Sequence, residues 1–552
     1  MKKQFEYLIL FILTLTFTLI WHYACFKSGF DLMPGDDGDA FLNILAADSW
    51  SDVFRGEMPI RQNRIFYPFE YGRGSTDLSL PLCLLAAPWQ YVFGINIFHS
   101  ALIVYGLLLF AGVFGMFYLL RNVLHLNFIP ALGGALLTIF CNACYSKLIH
   151  TQFFFAYLLP LPAICVIRYC QNWQTNNKKK RVVYGMTAAL IFAVIAYSNY
   201  YTAFFFALGA GIYFLIYSIM LIKKDKFKEL LIPARAWELL LLAGWGALLF
   251  APFIYIYMPL VASGNTHNWT AAQGLNPVIT DIINIGPKNL LWGKLYASAF
   301  PPIHKYVYEH YYGLPPLTLA AGVICLWYFI KKRKNINPAY TVLAAAIFVM
   351  YLVSLKFMHK VSLWYFIWKF IPGGSAIRAT GRIYVFLMFP FMIFLWWMID
   401  KLTRDLPSAK RIAISLIVLV LLVADNYNTT ELYAWSSSKI TARMNDIPKP
   451  PEDMQCFYII DSGDSISKSN SWCSSGLLAW QMARHFKTFT INGYSGVTPA
   501  DLTTLDPFAP DYRQVIHKWI RKHNLKDVYS YDATCRKWAK RGYAKSQKED
   551  NQ

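Results

Sequence analysis

Three carboxylates crowd into Pro34-Gly35-Asp36-Asp37-Gly38-Asp39, just after the first apolar run of the chain. Carboxylates this close repel one another, which raises their affinity for protons, and the glycines between them let the backbone turn tightly. A carboxylate so placed can act as general base toward a hydroxyl or amine. The group Asp36, Asp37 and Asp39 can equally hold a divalent cation that neutralises a phosphate leaving group. A third reading is a solvated loop in which Asp39 caps the next helix. A second signal is Arg378 and Arg382, which follow a Pro-Gly-Gly turn. Spaced four apart, they can share a helix face and fork onto phosphate oxygens, or merely snorkel to ordinary headgroups. His150 and Gln152 open another apolar run, Glu309 precedes Tyr311-Tyr312-Gly313, and Tyr200 and Tyr201 follow Asn199 in a tight turn. An acid at a membrane boundary suits pairing with an arginine or positioning a substrate. A lone histidine there is more often a structural hydrogen-bonding group, and such tyrosines also serve as plain interfacial anchors.

These residues must be held by membrane-spanning elements. The chain of 552 residues is 56% hydrophobic and 15% charged, well below the roughly 25% charged residues of soluble domains. Long apolar runs place spans near 5–26, 97–120, 129–146, 151–170, 182–198, 201–222, 236–260, 312–330, 338–355, 383–400 and 411–428. The formal charge of +21 does not indicate nucleic acid, because the basic residues gather in short runs between spans: Lys178 to Arg181, Lys223 to Lys228, Lys331 to Lys334, and Lys410-Arg411. That is the positive-inside pattern of cytoplasmic loops. With about 11 spans and the N-terminus inside, every such run falls on the cytoplasmic face and the C-terminal tail lies outside. The first apolar run is too long for the core of a cleavable signal and reads as an anchor.

Of the external segments, 27–96 is the first and longest. Within it Phe41, Leu42, Leu45 and Val53 suggest a helix along the membrane surface, and Leu80 to Phe93 suggests an interfacial or re-entrant helix. After 430 the composition turns polar. A strand is expected over Gln455 to Ile460, with helices over Gly476 to Phe486 and Tyr512 to His523. The expected architecture is therefore an all-α polytopic membrane protein, residues 1–430, with a small extracytoplasmic α/β domain, residues 431–552. If the tail is exported, one pair among Cys456, Cys473 and Cys535 can be bridged. The segment Asn492-Gly493-Tyr494-Ser495-Gly496 reads as a plain turn or as a loop touching an acceptor. Nucleotide-binding glycine patterns and zinc motifs are missing from the sequence, which argues against an ATP-driven pump.

The order of these motifs resembles the GT-C superfamily of membrane glycosyltransferases, and more narrowly its YfhO-like bacterial branch. Gly35, Asp36 and Asp39 match an acidic element after the first span, and Tyr67-Pro68 a Tyr-Pro element. His150 with Gln152, Tyr200 with Tyr201, Glu309 with Tyr312-Gly313, and Ile377 to Arg382 match elements that follow in order. Ala40 and Thr380 depart from the pattern, standing where proline is usual. The resemblance covers about residues 1–430; the tail carries none. It implies a GT-C fold, a donor sugar on a polyprenyl phosphate, and an acid in the first external loop as base or metal ligand. On that basis Asp36 is the expected base and Asp39 a second carboxylate that orients the acceptor. Arg378 and Arg382 are the expected phosphate binders, with Glu309, His150, Gln152, Tyr200 and Tyr201 lining the cavity.

The function expected is sugar transfer to an envelope glycan, lipid or protein outside the bacterial cytoplasmic membrane. The partners are then the lipid-linked sugar, membrane lipids and that acceptor. The sequence requires no cofactor, while a divalent metal is allowed. A flippase for lipid-linked sugars and a glycan polymerase are the alternatives.

Overall fold

The computed structural model describes residues 3–174, 177–223, 236–264, 267–299, 307–332, 336–358, 360–428, 435–461 and 471–540. Parts of two basic runs, 224–228 and 333–334, lie outside these residues. Each of the eleven apolar segments named above is occupied by helix. Among the described residues, eight helices are long and apolar enough to cross a bilayer: Lys3–Trp21, Ile97–Val123, Phe128–Ser146, Thr151–Asn172, Lys178–Ser198, Tyr200–Ile222, Ala236–Ala262 and Thr380–Thr403. Pro338–Ser354 is apolar but shorter, and Pro316–Lys332 and Ser408–Asn426 fill the remaining two segments. The chain is a multi-pass helical membrane protein.

The polypeptide forms two compact units. The first comprises Met1–Phe30, Leu102–Pro252 and His267–Tyr433. At its centre Phe128–Ile139 packs against Ile383–Thr403. Both helices are almost wholly buried, and the approach is close because the Trp396 indole occupies the space a Cβ on Gly133 would need and also lies against Gly134, where Leu120 takes the Cβ position. Small residues at helix crossings serve this purpose where lipid supplies no hydrophobic drive. Two buried carboxylates of this unit are paired with arginines. Arg181 and Glu238 meet at 2.5 Å with no exposed surface, and Arg121 binds Glu6 at 2.8 Å. Buried Asp425 accepts hydrogen bonds from the amides of Leu317 (3.2 Å) and Thr318 (2.7 Å) and from the Trp292 indole (2.8 Å). A carboxylate from one helix thus satisfies the orphan donors at the start of Pro316–Lys332.

The second unit gathers Asp31–Ala101, Phe253–Thr266 and Ala434–Gln552. Its four-stranded sheet runs Phe489–Thr490, Cys456–Asp461, Val528–Asp532, Lys537–Lys540; the first three are parallel and the edge strand antiparallel. Met444, Phe457, Ile459, Leu478, Met482 and Tyr531 form part of its core. The strand and the helices Ser471–His485 and Tyr512–Lys522 stand where the composition placed them. The loop after the first span joins this domain. Leu32–Met33 pairs with Trp435–Ser436, and Asp31 accepts from Ser436, Ser437 and Ser438. Slight burial raises the Asp31 pKa, but those donors outweigh it and draw the carboxyl down to about 2. Asp52 bridges Arg64 (2.8 Å) and Arg484 (3.0 Å), and Arg64 also reaches the Thr488 carbonyl.

Two expectations change here. Asp39–Asp48 is not a helix lying on a membrane surface: Phe41, Ile44, Leu45, Ala46 and Ala47 are buried, and it packs against Leu80–Tyr91 and Ser471–His485. Its apolar residues cover too much of its circumference for one-sided burial. All ten cysteines are free, with Cys456 and Cys473 enclosed in the second unit.

The tight crossing at Gly133 sets the register of two central helices. Gly133→Val should lower the thermal midpoint of the detergent-solubilised chain, in line with an overpacking cost of about 1–3 kcal/mol. An unchanged midpoint would show that the helices do not rely on this approach.

Candidate functional site

In the first unit the site is built on the segments that join spans. Lys147 and His150 lie between Phe128–Ser146 and Thr151–Asn172, Glu309 lies in the turn Val307–His310, and Arg382 closes the turn Thr380–Arg382. All four side chains are buried, the most exposed retaining 10% of its surface. Glu309 is the hub. Arg382 Nη2 donates to its Oε1 at 2.7 Å, Lys147 Nζ to its Oε2 at 3.4 Å, and His150 Nε2 lies 3.2 Å from Oε1. Arg382 Nη2 is also 2.9 Å from His150 Nε2. That nitrogen serves one partner at a time: without a proton it accepts from Arg382, and carrying one it donates to Glu309.

Burial alone would push the Glu309 pKa up, but Arg382 and Lys147 outweigh it and hold the carboxyl well below the usual range. Lys147 goes the other way. Burial draws its ammonium down to about 8, only partly offset by Glu309. A neighbouring acid, Asp281, has its own donors in the Val278 amide, His310 Nδ1 and the Tyr312 hydroxyl.

From this hub the structure reaches Arg378. The Arg382 guanidinium stands 5.1 Å from the centre of the Tyr201 ring, a cation–π distance. The Tyr201 hydroxyl accepts the backbone amides of Arg378 (3.0 Å) and Ala379 (3.3 Å). Tyr200 donates to the Gly373 carbonyl at 3.0 Å, and Gly373 has φ +83°, a conformation that suits glycine. The loop is therefore pinned at both ends by the tyrosine pair. Arg378 itself is exposed and makes no ion pair among the described residues. It lies close enough to His267 that burial and the Arg378 charge together lower that imidazole to about 4.

The two arginines do not share a helix face, contrary to the spacing argument. Helical geometry begins only at Thr380, and the extended turn at Ala379 (φ −95°, ψ 82°) sends one guanidinium inward and leaves the other outside. Gln152 is buried, and its Oε1 accepts no hydrogen bond among the described residues. Lys147 escaped the sequence reading. Its signal was available, as a cation in a loop that the positive-inside pattern assigns to the outer face.

In the second unit the acidic loop is partly engaged with its own backbone. Asp36 Oδ1 accepts the amides of Gly38 (3.2 Å) and Ala40 (3.1 Å), so Asp36, not Asp39, serves the first turn of Asp39–Asp48. Asp39 Oδ1 accepts from the Tyr494 hydroxyl at 2.8 Å. Burial and the Asp39 charge push that hydroxyl far above its ordinary pKa, which keeps it a donor. Burial, with the same charge, also raises the Cys473 thiol. The segment around Tyr494 thus contacts the acidic loop. No group of three His, Cys, Asp or Glu placed to share a metal occurs among the described residues.

Neither a family model nor a curated protein matches the sequence. Solved structures of the Archaeoglobus fulgidus oligosaccharyltransferase do match in fold. The complex with Zn and sulfate superposes with a TM-score of 0.50 at 12% identity, covering 95% of this chain and 68% of that one. The complex of that enzyme, AglB, with an inhibitory peptide and a dolichol-phosphate gives 0.50 and 12%, covering 96% and 70%. The apo form gives the same score and identity, covering 96% and 69%. The likeness establishes the GT-C fold expected from the motifs.

Lys147 tests the electrostatics. Its folded pKa lies below the unfolded value of about 10.4, so between about pH 8 and 10 the unfolded chain binds more protons and stability rises with pH. Wild type should therefore gain on Lys147→Met across this window, by on the order of 3 kcal/mol at most. Parallel midpoint–pH curves for the two proteins would contradict the buried, charge-coupled placement.

Proposed function

We propose that this protein is a membrane glycosyltransferase that takes its sugar from a lipid-linked phosphate donor. The observation that carries the reading is Arg378: an exposed cation without an ion partner among the described residues, on a loop that a buried Glu309–Arg382 pair and two tyrosines hold in place. The GT-C fold supports it. The archaeal enzyme of that fold is an oligosaccharyltransferase solved with a dolichol-phosphate and, separately, tethered to an acceptor peptide.

The chemistry asks for two things. The bond from the anomeric carbon to the phosphate oxygen breaks, and the released lipid phosphate carries the electron pair and its negative charge. Arg378 is assigned to that charge, and Arg382 to holding the loop. The acceptor hydroxyl or amine forms the new bond to the anomeric carbon and gives up a proton. Asp36 is assigned as the base, its charged form supported by the Gly38 and Ala40 amides, and Asp39 as the acceptor-orienting carboxylate, fixed by Tyr494. His150, Gln152, Tyr200 and Tyr201 are assigned to the cavity wall. The motif series favours the YfhO-like branch, a polyprenyl phosphate as carrier, and an envelope acceptor outside a bacterial cytoplasmic membrane. A divalent ion at Asp36 and Asp39 is an arrangement the archaeal complex with Zn brings to mind, but the carboxylates here are engaged with backbone and tyrosine donors.

The test is transfer of labelled sugar from a polyprenyl-phosphate donor by the full chain in nanodiscs. Asp36→Asn should reduce turnover by about 10²- to 10⁴-fold, the usual weight of a general base. Arg378→Gln should mainly raise the donor KM, by roughly 10-fold or more. Full transfer by Asp36→Asn removes it from the base role. Movement of labelled lipid between leaflets by a wild type that transfers no sugar indicates a carrier.

A further inference from the structure

Ile383–Thr403 begins at Arg382 and ends beside a second cluster of cations. There a cavity of about 620 Å³ lies among the ends of several helices of the first unit. Lys401, Arg404 and Arg411 contribute to its lining, with Asn127, Asn337 and His125 between them. Asp400, the carboxylate that pairs with Arg404, is wholly buried. It accepts from the Asn127 side chain (2.7 Å) and amide (3.0 Å), and Arg404 reaches it at 3.0 Å. Lys401, Arg404 and Arg411 line the cavity, while Asp400 already takes three donors, Arg404 among them. Arg411 makes neither an ion pair nor a side-chain hydrogen bond among the described residues. Phe128–Ile139 and Pro338–Ser354 both start at the rim, with Asn127 and Asn337 as their N-caps, so two helix N-termini add partial positive charge. One wall is apolar: Tyr340 stacks on Trp397 with centroids 3.7 Å apart, and Lys401 lies 5.4 Å from the Trp397 ring.

The position matters as much as the charge. The 21 residues of Ile383–Thr403 rise about 30 Å at ~1.5 Å each, which matches a hydrocarbon core. The Arg382 cluster and this cavity therefore stand at opposite membrane faces. Positive-inside counting puts the cavity at the cytoplasmic one, where basic pockets between helices suit anionic headgroups.

We propose that this cavity is a second, independent binding site for a phosphate group, gripped by Arg411, Arg404 and Lys401 against the Tyr340–Trp397 wall. A lipid headgroup or a free phosphate supplies the same chemistry. This goes beyond the transferase reading and does not depend on it.

Binding is measured on the full chain in detergent, by native mass spectrometry, with phosphatidylglycerol, phosphatidylcholine and inorganic phosphate as probes. One phosphatidylglycerol should be retained in preference to phosphatidylcholine. Lys401→Gln combined with Arg411→Gln should weaken that retention about tenfold or more, while the unliganded thermal midpoint stays near wild type. Full displacement of the lipid by millimolar inorganic phosphate supports the site and assigns its source to solution. Failure of phosphate to displace it supports a lipid source. Should the double variant not fold, the wild type decides: retention must fall as salt is raised. Equal retention of both lipids, undiminished binding by a folded double variant, or salt-independent binding overturns the proposal.

Discussion

The ion pair between Arg382 and Glu309 is the constraint on which the rest of the site depends. Two buried charges at 2.7 Å, with Lys147 and His150 on the same carboxylate, cannot be loosened singly. Removing either leaves an uncompensated charge in a low-dielectric interior, a loss of about 3–5 kcal/mol. The pair thereby fixes three segments that are distant in sequence and sets the guanidinium against Tyr201, whose hydroxyl holds the Arg378 amide. Rigidity at the buried arginine becomes position at the exposed one.

The backbone helices make this possible by their approach. Gly133 and Gly134 admit Trp396, so Phe128–Ile139 and Ile383–Thr403 lie close and present Lys147 and Arg382 at the same end. The other ends of the same helices carry Asn127 and Arg404, where cations again exceed carboxylates. One helix pair thus separates two positively charged clusters by about 30 Å along its axis. The opposite charge, Asp36 and Asp39, is held in the second unit by different means: backbone amides and a tyrosine hydroxyl.

The spans were legible because about 20 apolar residues in a row have few alternatives to crossing a bilayer, and the basic runs numbered them consistently. The site was legible in composition and less so in geometry. Glu309, His150 and Arg382 stood out as polar groups at span mouths, and they do meet. The different roles of Arg378 and Arg382 were not readable, because they hinge on a turn at Ala379 that a four-residue spacing does not reveal. Asp36 capping the helix was missed for a similar reason: the cap comes from three residues before the helix's first residue. The union of the first external loop with the tail depends on contacts such as Arg64–Asp52–Arg484, across more than 400 positions, and local pattern does not encode these. The fold likeness to the archaeal transferase at 12% identity shows the same gap between sequence and arrangement.

The proposed role of Arg378, an exposed cation without an ion partner among the described residues, is to grip a lipid-borne phosphate. It is tested most directly by equilibrium binding of radiolabelled sugar-free polyprenyl phosphate to the full chain in nanodiscs. Arg378→Lys should retain much of the affinity and Arg378→Gln should lose most of it, with helix content unchanged in both. Equal affinity for wild type and Arg378→Gln contradicts the account.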